Sequence, residues 1–223
     1  MDRILKNGVF LLLITVTIVA CEIKQKEDRL PILGYRDVVE KEIDGKKVID
    51  TAYHTIPEFS LVNQDSNVVT NKTLSDKIYV ADFFFTSCPS ICPIMKTQML
   101  RVYEEFKDDN SFAIVSHSID PEYDTVALLK DYAERLGVDN SQKWMFLTGD
   151  RDEIFELGEK GYIVTTKEDE EAPGGYLHSG AFILVDKERR IRGLYDGTKA
   201  DRVDQLMIDI VKLKEEYQTP DAK

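Results

Sequence analysis

Two cysteines four residues apart offer the clearest chemistry in this 223-residue chain. Cys88 and Cys92 lie in the segment CPSICP, which follows the apolar run at residues 78–85 after two intervening residues. Residues i and i+4 share one face of a helix, so both sulfurs can converge where the next helix begins. The helix N-terminus and its free N–H groups lower the pKa of a thiol there, and thiolate is both nucleophile and metal ligand. The pair therefore predicts a redox dithiol or part of a metal site.

The elements around the cysteines alternate between strands and helices. The run IYVADFFF is rich in β-formers and predicts a buried central strand, followed by a helix to about Phe106. This alternation predicts an α/β fold with a mixed central sheet flanked by helices, and a cysteine pair placed after a central strand is typical of the thioredoxin-like fold. An Asp-Gly turn between apolar pairs predicts an N-terminal β-hairpin extension. Further strands are predicted over residues 112–118, 144–147, 181–186 and 191–195, and helices over 125–136 and 150–158 and near the C-terminus. The acidic, Gly-rich segment TTKEDEEAPGG lies between them, and its run of acidic residues at 168–171 is expected to be a solvated mobile loop.

A metal site needs more donors than two sulfurs, and the chain offers three histidines. His178 lies just before the predicted strand over residues 181–186, and in a thioredoxin-like sheet the loop leading into that strand passes beside the cysteine motif. We therefore predict His178 as the third ligand, and His54 and His117 as structural residues. Two thiolates and one imidazole form a soft set that selects Cu(I), with zinc as the main competitor and Cu(II) also compatible.

The third cysteine belongs to an N-terminal targeting segment. An apolar run from Val9 to Ala20 follows Arg3 and Lys6, and it is too short to span a bilayer but suits a secretory signal. It ends in Ile-Val-Ala before Cys21, which resembles a bacterial lipoprotein box with a lipidated cysteine. The sequence thus predicts a lipoprotein signal peptide at 1–20, a tether and extension at 21–56, a thioredoxin-like domain at 57–217 and a tail at 218–223. We expect an extracytoplasmic, membrane-anchored protein that faces the periplasm.

Composition narrows the class of partner. The net charge of −12 argues against nucleic acid, because phosphate binding needs clustered Lys and Arg. Hydrophobic residues make up 43%, enough for one core of ordinary size. Three cysteines are too few for a disulfide scaffold, and their odd number fits one lipidated residue plus one active pair.

The motifs together resemble the Sco (SenC) family of thioredoxin-fold copper proteins, which help to assemble the copper centre of cytochrome c oxidase. The resemblance covers roughly residues 57–217 and rests on PEFSL, DFFFTSCPSICPIM, SIDPEYDT, FLTGD and YLHSGAFILVD. It implies that Cys88, Cys92 and His178 hold one copper ion, as Cu(I) or Cu(II), and that the two cysteines form a reversible disulfide. It also implies a copper donor, a thiol reductant and the copper-site subunit of a terminal oxidase as partners.

Two positions bear on that resemblance. Many family members carry an Asp directly before the metal histidine, where this chain has Leu177, and this removes a hydrogen-bonding neighbour that could tune the metal. Asp82, in the strand before the cysteines, is a candidate supporting carboxylate near the site.

Three functions remain open on the sequence. The first is a copper metallochaperone that uses Cys88, Cys92 and His178. The second is a thiol–disulfide oxidoreductase that reduces the oxidase's copper-site cysteines, for which His178 is not required. The third, a thiol peroxidase, predicts a Thr three residues before an activated cysteine, and the presence of Phe85 there argues against it. Whether the protein is an enzyme therefore depends on the choice between the first two.

Overall fold

The computed structural model describes residues 29–43, 45–169 and 171–218. The predicted signal peptide, the lipidation site at Cys21 and residues 219–223 lie outside the described residues. In the described part, the strands are β1 (Arg36–Ile43), β2 (Lys46–Tyr53), β3 (Ser60–Asn63), β4 (Val68–Thr70), β5 (Ile78–Phe84), β6 (Phe112–Ser118), β7 (Trp144–Thr148), β8 (Thr166–Glu168), β9 (Tyr176–His178), β10 (Ala181–Val185) and β11 (Ile191–Asp196). The helices are α1 (Cys92–Phe106), α2 (Val126–Leu136), α3 (Arg151–Glu156) and α4 (Ala200–Glu216).

A seven-stranded mixed sheet forms the centre of the molecule, in the order β11-β10-β5-β6-β7-β3-β4. Strands β5, β6 and β7 run parallel, while β10 pairs antiparallel with both β5 and β11. Every residue of β5 is buried, as its continuous apolar run predicts. Helices α1, α2 and α4 contact β6, β7 and β5 respectively, so the predicted α/β sheet flanked by helices is confirmed.

Helix α1 turns its predicted inner face to the core. The buried residues of this helix are Cys92, Met95, Met99, Val102, Tyr103 and Phe106. Its first residue is Cys92, so Cys88 lies in the preceding turn and the two cysteines do not share one helix face as the spacing predicted. Pro residues at positions 89 and 93 suit a turn followed by a helix start, since proline fixes φ and lacks the N–H that a first turn leaves unpaired.

The acidic segment TTKEDEEAPGG contains a short strand, β8, that was not predicted. The segment forms a short antiparallel hairpin, in which Thr166 of β8 pairs with His178 of β9. Before it, α3 continues into a π-helical turn at Leu157–Gly161 that was not predicted. The hairpin escaped prediction because a ladder of three residue pairs has no alternating apolar pattern, and contacts with the rest of the fold hold it in place instead.

The predicted N-terminal hairpin is present as β1 paired with β2. The segment before it is attached to one end of the central sheet, where Leu33 forms a bridge with Ile191 at the start of β11. Arg192 strengthens this attachment by donating to the carbonyl oxygens of Leu30 (2.7 Å) and Pro31 (3.1 Å). Among the described residues, none of the helices combines the length and apolar character needed to cross a membrane.

Candidate metal centre

The structure brings the three predicted donors together at one end of the sheet. Sγ of Cys92 lies 3.4 Å from Nε2 of His178, and Sγ of Cys88 lies 4.0 Å from the same nitrogen. The three ligand atoms all lie within 4.8 Å of one another, and all three residues are buried. Within the described ranges, this is the one group of at least three His, Cys, Asp or Glu residues close enough to hold a metal ion.

The two cysteines reach the site from different elements. Cys88 lies in the turn after β5, where its N–H donates to the carbonyl oxygen of Phe85 at 3.2 Å. Cys92 opens α1. Both thiols are free, so the pair is ready to bind a metal or to form a disulfide.

Hydrogen bonding distinguishes the two thiols chemically. Burial disfavours the thiolate of Cys88, but hydrogen bonds from Ser90 and from the backbone of Cys92 outweigh it and lower the pKa of the Cys88 thiol. The Oγ of Ser90 lies 3.5 Å from that sulfur. Burial raises the pKa of the Cys92 thiol well above its usual range, and the neighbouring Cys88 raises it further. Cys88 is therefore the more readily ionised member of the pair.

His178 is oriented for ligation. It is the last residue of β9, and its Nδ1 lies 3.3 Å from the carbonyl oxygen of Ser179. A proton on Nδ1 that donates to this carbonyl leaves the lone pair of Nε2 directed at the two sulfurs. Burial lowers the pKa of His178, which favours the neutral imidazole that metals require. Its ring edge packs against Phe85, with centroids 5.8 Å apart.

Asp82 lies beside this cluster rather than in it. Its side chain is buried and lines, together with Cys92, a small cavity of about 10 Å³. Burial raises the pKa of Asp82 to about 7, although a 2.5 Å hydrogen bond from Ser116 opposes the shift. Asp82 therefore shares a cavity with Cys92, as a carboxyl whose protonation changes around neutral pH.

The other two histidines lie elsewhere. His54 donates from Nε2 to the carbonyl oxygen of Gly161 at 2.7 Å. His117 is fully buried, stacks on Phe83 with centroids 5.0 Å apart and places Nε2 3.3 Å from the hydroxyl of Tyr162. Its Nδ1 has no hydrogen-bond partner, so His117 is a structural residue with one buried ring nitrogen left unpaired.

Several residues that shape the centre were not predicted from the sequence. Ser90 acts on the Cys88 thiol, while Phe85 and Ser179 orient the His178 ring. Ser90 lies inside the CPSICP motif, so its position was a usable signal. The contacts of Phe85 and Ser179 depend on the β8–β9 hairpin, which has no sequence pattern of its own.

The fold and the donors define a class: a thioredoxin-like domain with a free Cys-x-x-x-Cys pair facing a histidine. The chain belongs to the SCO1/SenC family, whose model matches residues 48–215. Solved structures of similar proteins agree with this assignment.

Three of those structures are informative. A SCO1/SenC family lipoprotein from Bacillus anthracis is 26% identical, with a TM-score of 0.66 over 72% of this chain and 95% of the other. BsSco, a member of the Sco family of cytochrome c oxidase assembly proteins with a disulfide switch, is 28% identical, with a TM-score of 0.63 over 73% and 94%. Copper-bound ScoI from Arabidopsis thaliana is 27% identical, with a TM-score of 0.58 over 70% and 98%.

Proposed function

We propose that this protein is a copper metallochaperone for assembly of the cytochrome c oxidase copper centre. The observation that carries the proposal is the convergence of Cys88, Cys92 and His178 on one buried point. Two thiolates and a neutral imidazole suit copper, and thiolate softness favours Cu(I) over zinc. The copper-bound relative ScoI and the oxidase-assembly relative BsSco support the same assignment.

A copper titration of the purified, reduced full-length protein tests this proposal. We expect one copper ion per chain and an affinity at least 10-fold weaker in His178→Ala, since even the loss of a residue that only supports a ligand weakens metal binding by about 10- to 100-fold. His54→Ala is the matched control, because His54 bonds to Gly161 away from the centre. Equal affinity in His178→Ala and the wild type would overturn the three-ligand site.

A second function, thiol–disulfide oxidoreductase, is favoured by the lowered pKa of Cys88 beside a free partner thiol. In this reaction Cys88 attacks a partner disulfide, Cys92 resolves the mixed disulfide, and the partner leaves with two thiols. A thiol reductant then restores the pair. Reduction of a disulfide-bonded peptide that carries the oxidase's copper-site cysteines tests this activity, and we expect it to persist in His178→Ala.

We also propose that a lipid on Cys21 anchors the protein outside the cytoplasm, facing the periplasm. The support is the sequence before Cys21 and the lipoprotein relative from Bacillus anthracis. Labelled palmitate should be incorporated into the wild type and not into Cys21→Ala. Equal labelling of the two proteins, or none of either, would contradict a lipid on Cys21.

A further inference from the structure

The loop Asp120–Asp124, which joins β6 to α2, contacts the cysteine side of the metal centre. Asp124 is fully buried and accepts hydrogen bonds from the hydroxyl of Ser118 at 2.6 Å and the backbone N–H of Thr86 at 3.1 Å. The Thr86 hydroxyl also donates to the same carboxylate. Thr86 precedes Cys88 by two residues. Asp124 therefore fixes the start of the cysteine turn to the end of β6.

The other end of the same loop contacts the histidine side. The hydroxyl of Tyr176 donates to Oδ1 of Asp120 at 3.1 Å. Tyr176 and His178 are alternate residues of β9, so they lie on the same face of the strand. Both rings pack against Phe85, with centroids 5.4 Å and 5.8 Å away. A restraint on Tyr176 is therefore passed to His178 through a short and direct path.

Hydrogen bonds within the 120–124 loop fix the position of Asp120 relative to Asp124. The backbone N–H groups of Tyr123 and Asp124 donate to the carbonyl oxygen of Asp120 at 3.1 Å and 2.8 Å. The N–H of Asp120 in turn donates to the hydroxyl of Ser118 at 3.2 Å. One hydrogen-bonded turn thus sets the separation of the two carboxylates.

We infer that the 120–124 loop sets the position of the histidine relative to the cysteines, and that Tyr176 and Asp120 are positioning residues for His178. This inference rests on the proposed copper function. The two carboxylates of the loop have different roles. The Tyr176–Asp120 bond serves only metal binding, because only metal binding needs the imidazole. The Asp124 contacts serve both metal binding and disulfide formation, because both reactions need the cysteine turn.

Tyr176→Phe tests the contact between the loop and the histidine side of the centre. The variant removes the hydroxyl and keeps the ring that packs on Phe85. We expect copper affinity to fall roughly 3- to 10-fold, the usual effect of one hydrogen bond, while the midpoint potential of the cysteine pair stays at the wild-type value. Tyr123→Phe is the matched control, since it makes the same chemical change in the 120–124 loop, where Tyr123 is 57% exposed.

Variants of Asp120 test the same bond from the other side. Asp120→Asn keeps an acceptor oxygen and should retain more affinity than Asp120→Ala. In a His178→Ala background, Tyr176→Phe should produce no further loss, because the imidazole through which it acts is gone. Copper affinity is measured by chelator competition, and the potential by equilibration with a dithiol buffer.

Three results would overturn the inference: wild-type affinity in Tyr176→Phe, an equal further loss in the His178→Ala background, or a shifted midpoint potential. The proposed function fails differently, through a wild-type protein that binds no copper or a His178→Ala variant that binds it unchanged. The same titrations therefore distinguish a failure of the positioning role of Tyr176 from a failure of the proposed copper function.

Discussion

Ser116 donates a 2.5 Å hydrogen bond from its hydroxyl to Oδ1 of Asp82 inside the central sheet. The indole N–H of Trp144 donates to the same Ser116 oxygen at 2.9 Å. The Asp82 carboxyl thus ends a short polar chain within an apolar core, next to the cavity that it shares with Cys92. Burial raises the pKa of Asp82 to about 7 in this setting, so its charge changes near neutral pH.

We expect Asp82→Asn to flatten the pH dependence of the free energy of unfolding in the metal-free, reduced protein. A carboxyl with a pKa of about 7 when folded, against 3.8 as its ordinary value, binds its proton more tightly in the folded state. Its stabilising contribution is complete below the lower pKa and is lost as pH rises through the higher one, by up to roughly 4 kcal/mol. Urea denaturation across this pH range measures the difference, and parallel profiles for variant and wild type would contradict it.

His117 should have the opposite effect on stability. Burial lowers the pKa of His117 from 6.5 to about 3, so the unfolded chain takes up the proton first. Stability is therefore lost as pH falls below about 6.5, by roughly 2 kcal/mol at pH 5. His117→Leu should remove this acid-sensitive part of the profile whatever its effect at neutral pH. Copper affinity at neutral pH should not change, because His117 is not one of the three grouped donors.

The two thiols should differ in reactivity. Since the pKa of Cys88 is lowered and the pKa of Cys92 is raised, iodoacetamide should modify Cys88 first in the metal-free, reduced protein at pH 7. Peptide mapping after partial alkylation identifies the modified residue. Ser90→Ala should bring the alkylation rates of the two thiols closer together, because the Ser90 hydroxyl bonds to the Cys88 sulfur. Faster labelling of Cys92 would refute the proposed order of attack.

Two adjacent glycines allow a matched test of the β8–β9 hairpin. Gly174 and Gly175 both adopt positive φ, at 88° and 84°, so alanine is strained at either position. Only at Gly174 would a Cβ meet other atoms, 2.8 Å from the ring of Phe85. Gly174→Ala should therefore destabilise the hairpin by roughly 1–3 kcal/mol more than Gly175→Ala, and should weaken copper binding more. Equal copper affinities in the two variants would show that the Phe85 contact does not affect the centre.

The sequence was most informative where one element carries its own pattern. The apolar run of β5 and the spaced core residues of α1 predicted both elements, and the CPSICP motif located the cysteines at their junction. The β8–β9 hairpin could not be predicted, because three paired residues without apolar alternation become a strand only through tertiary contacts. The same limit applies to Asp120 and Asp124. Their motif was visible, but their partners Tyr176 and Thr86 are distant in sequence.

The N-terminal attachment also has a consequence for orientation. Leu33 is held at Ile191, which pairs with the last residue of β10, whereas His178 and the cysteines lie near its first residue, Ala181. The described chain therefore begins at one pole of the sheet and presents the metal centre at the other. With the proposed lipid on Cys21, the membrane attachment would reach the domain at the pole opposite the metal centre.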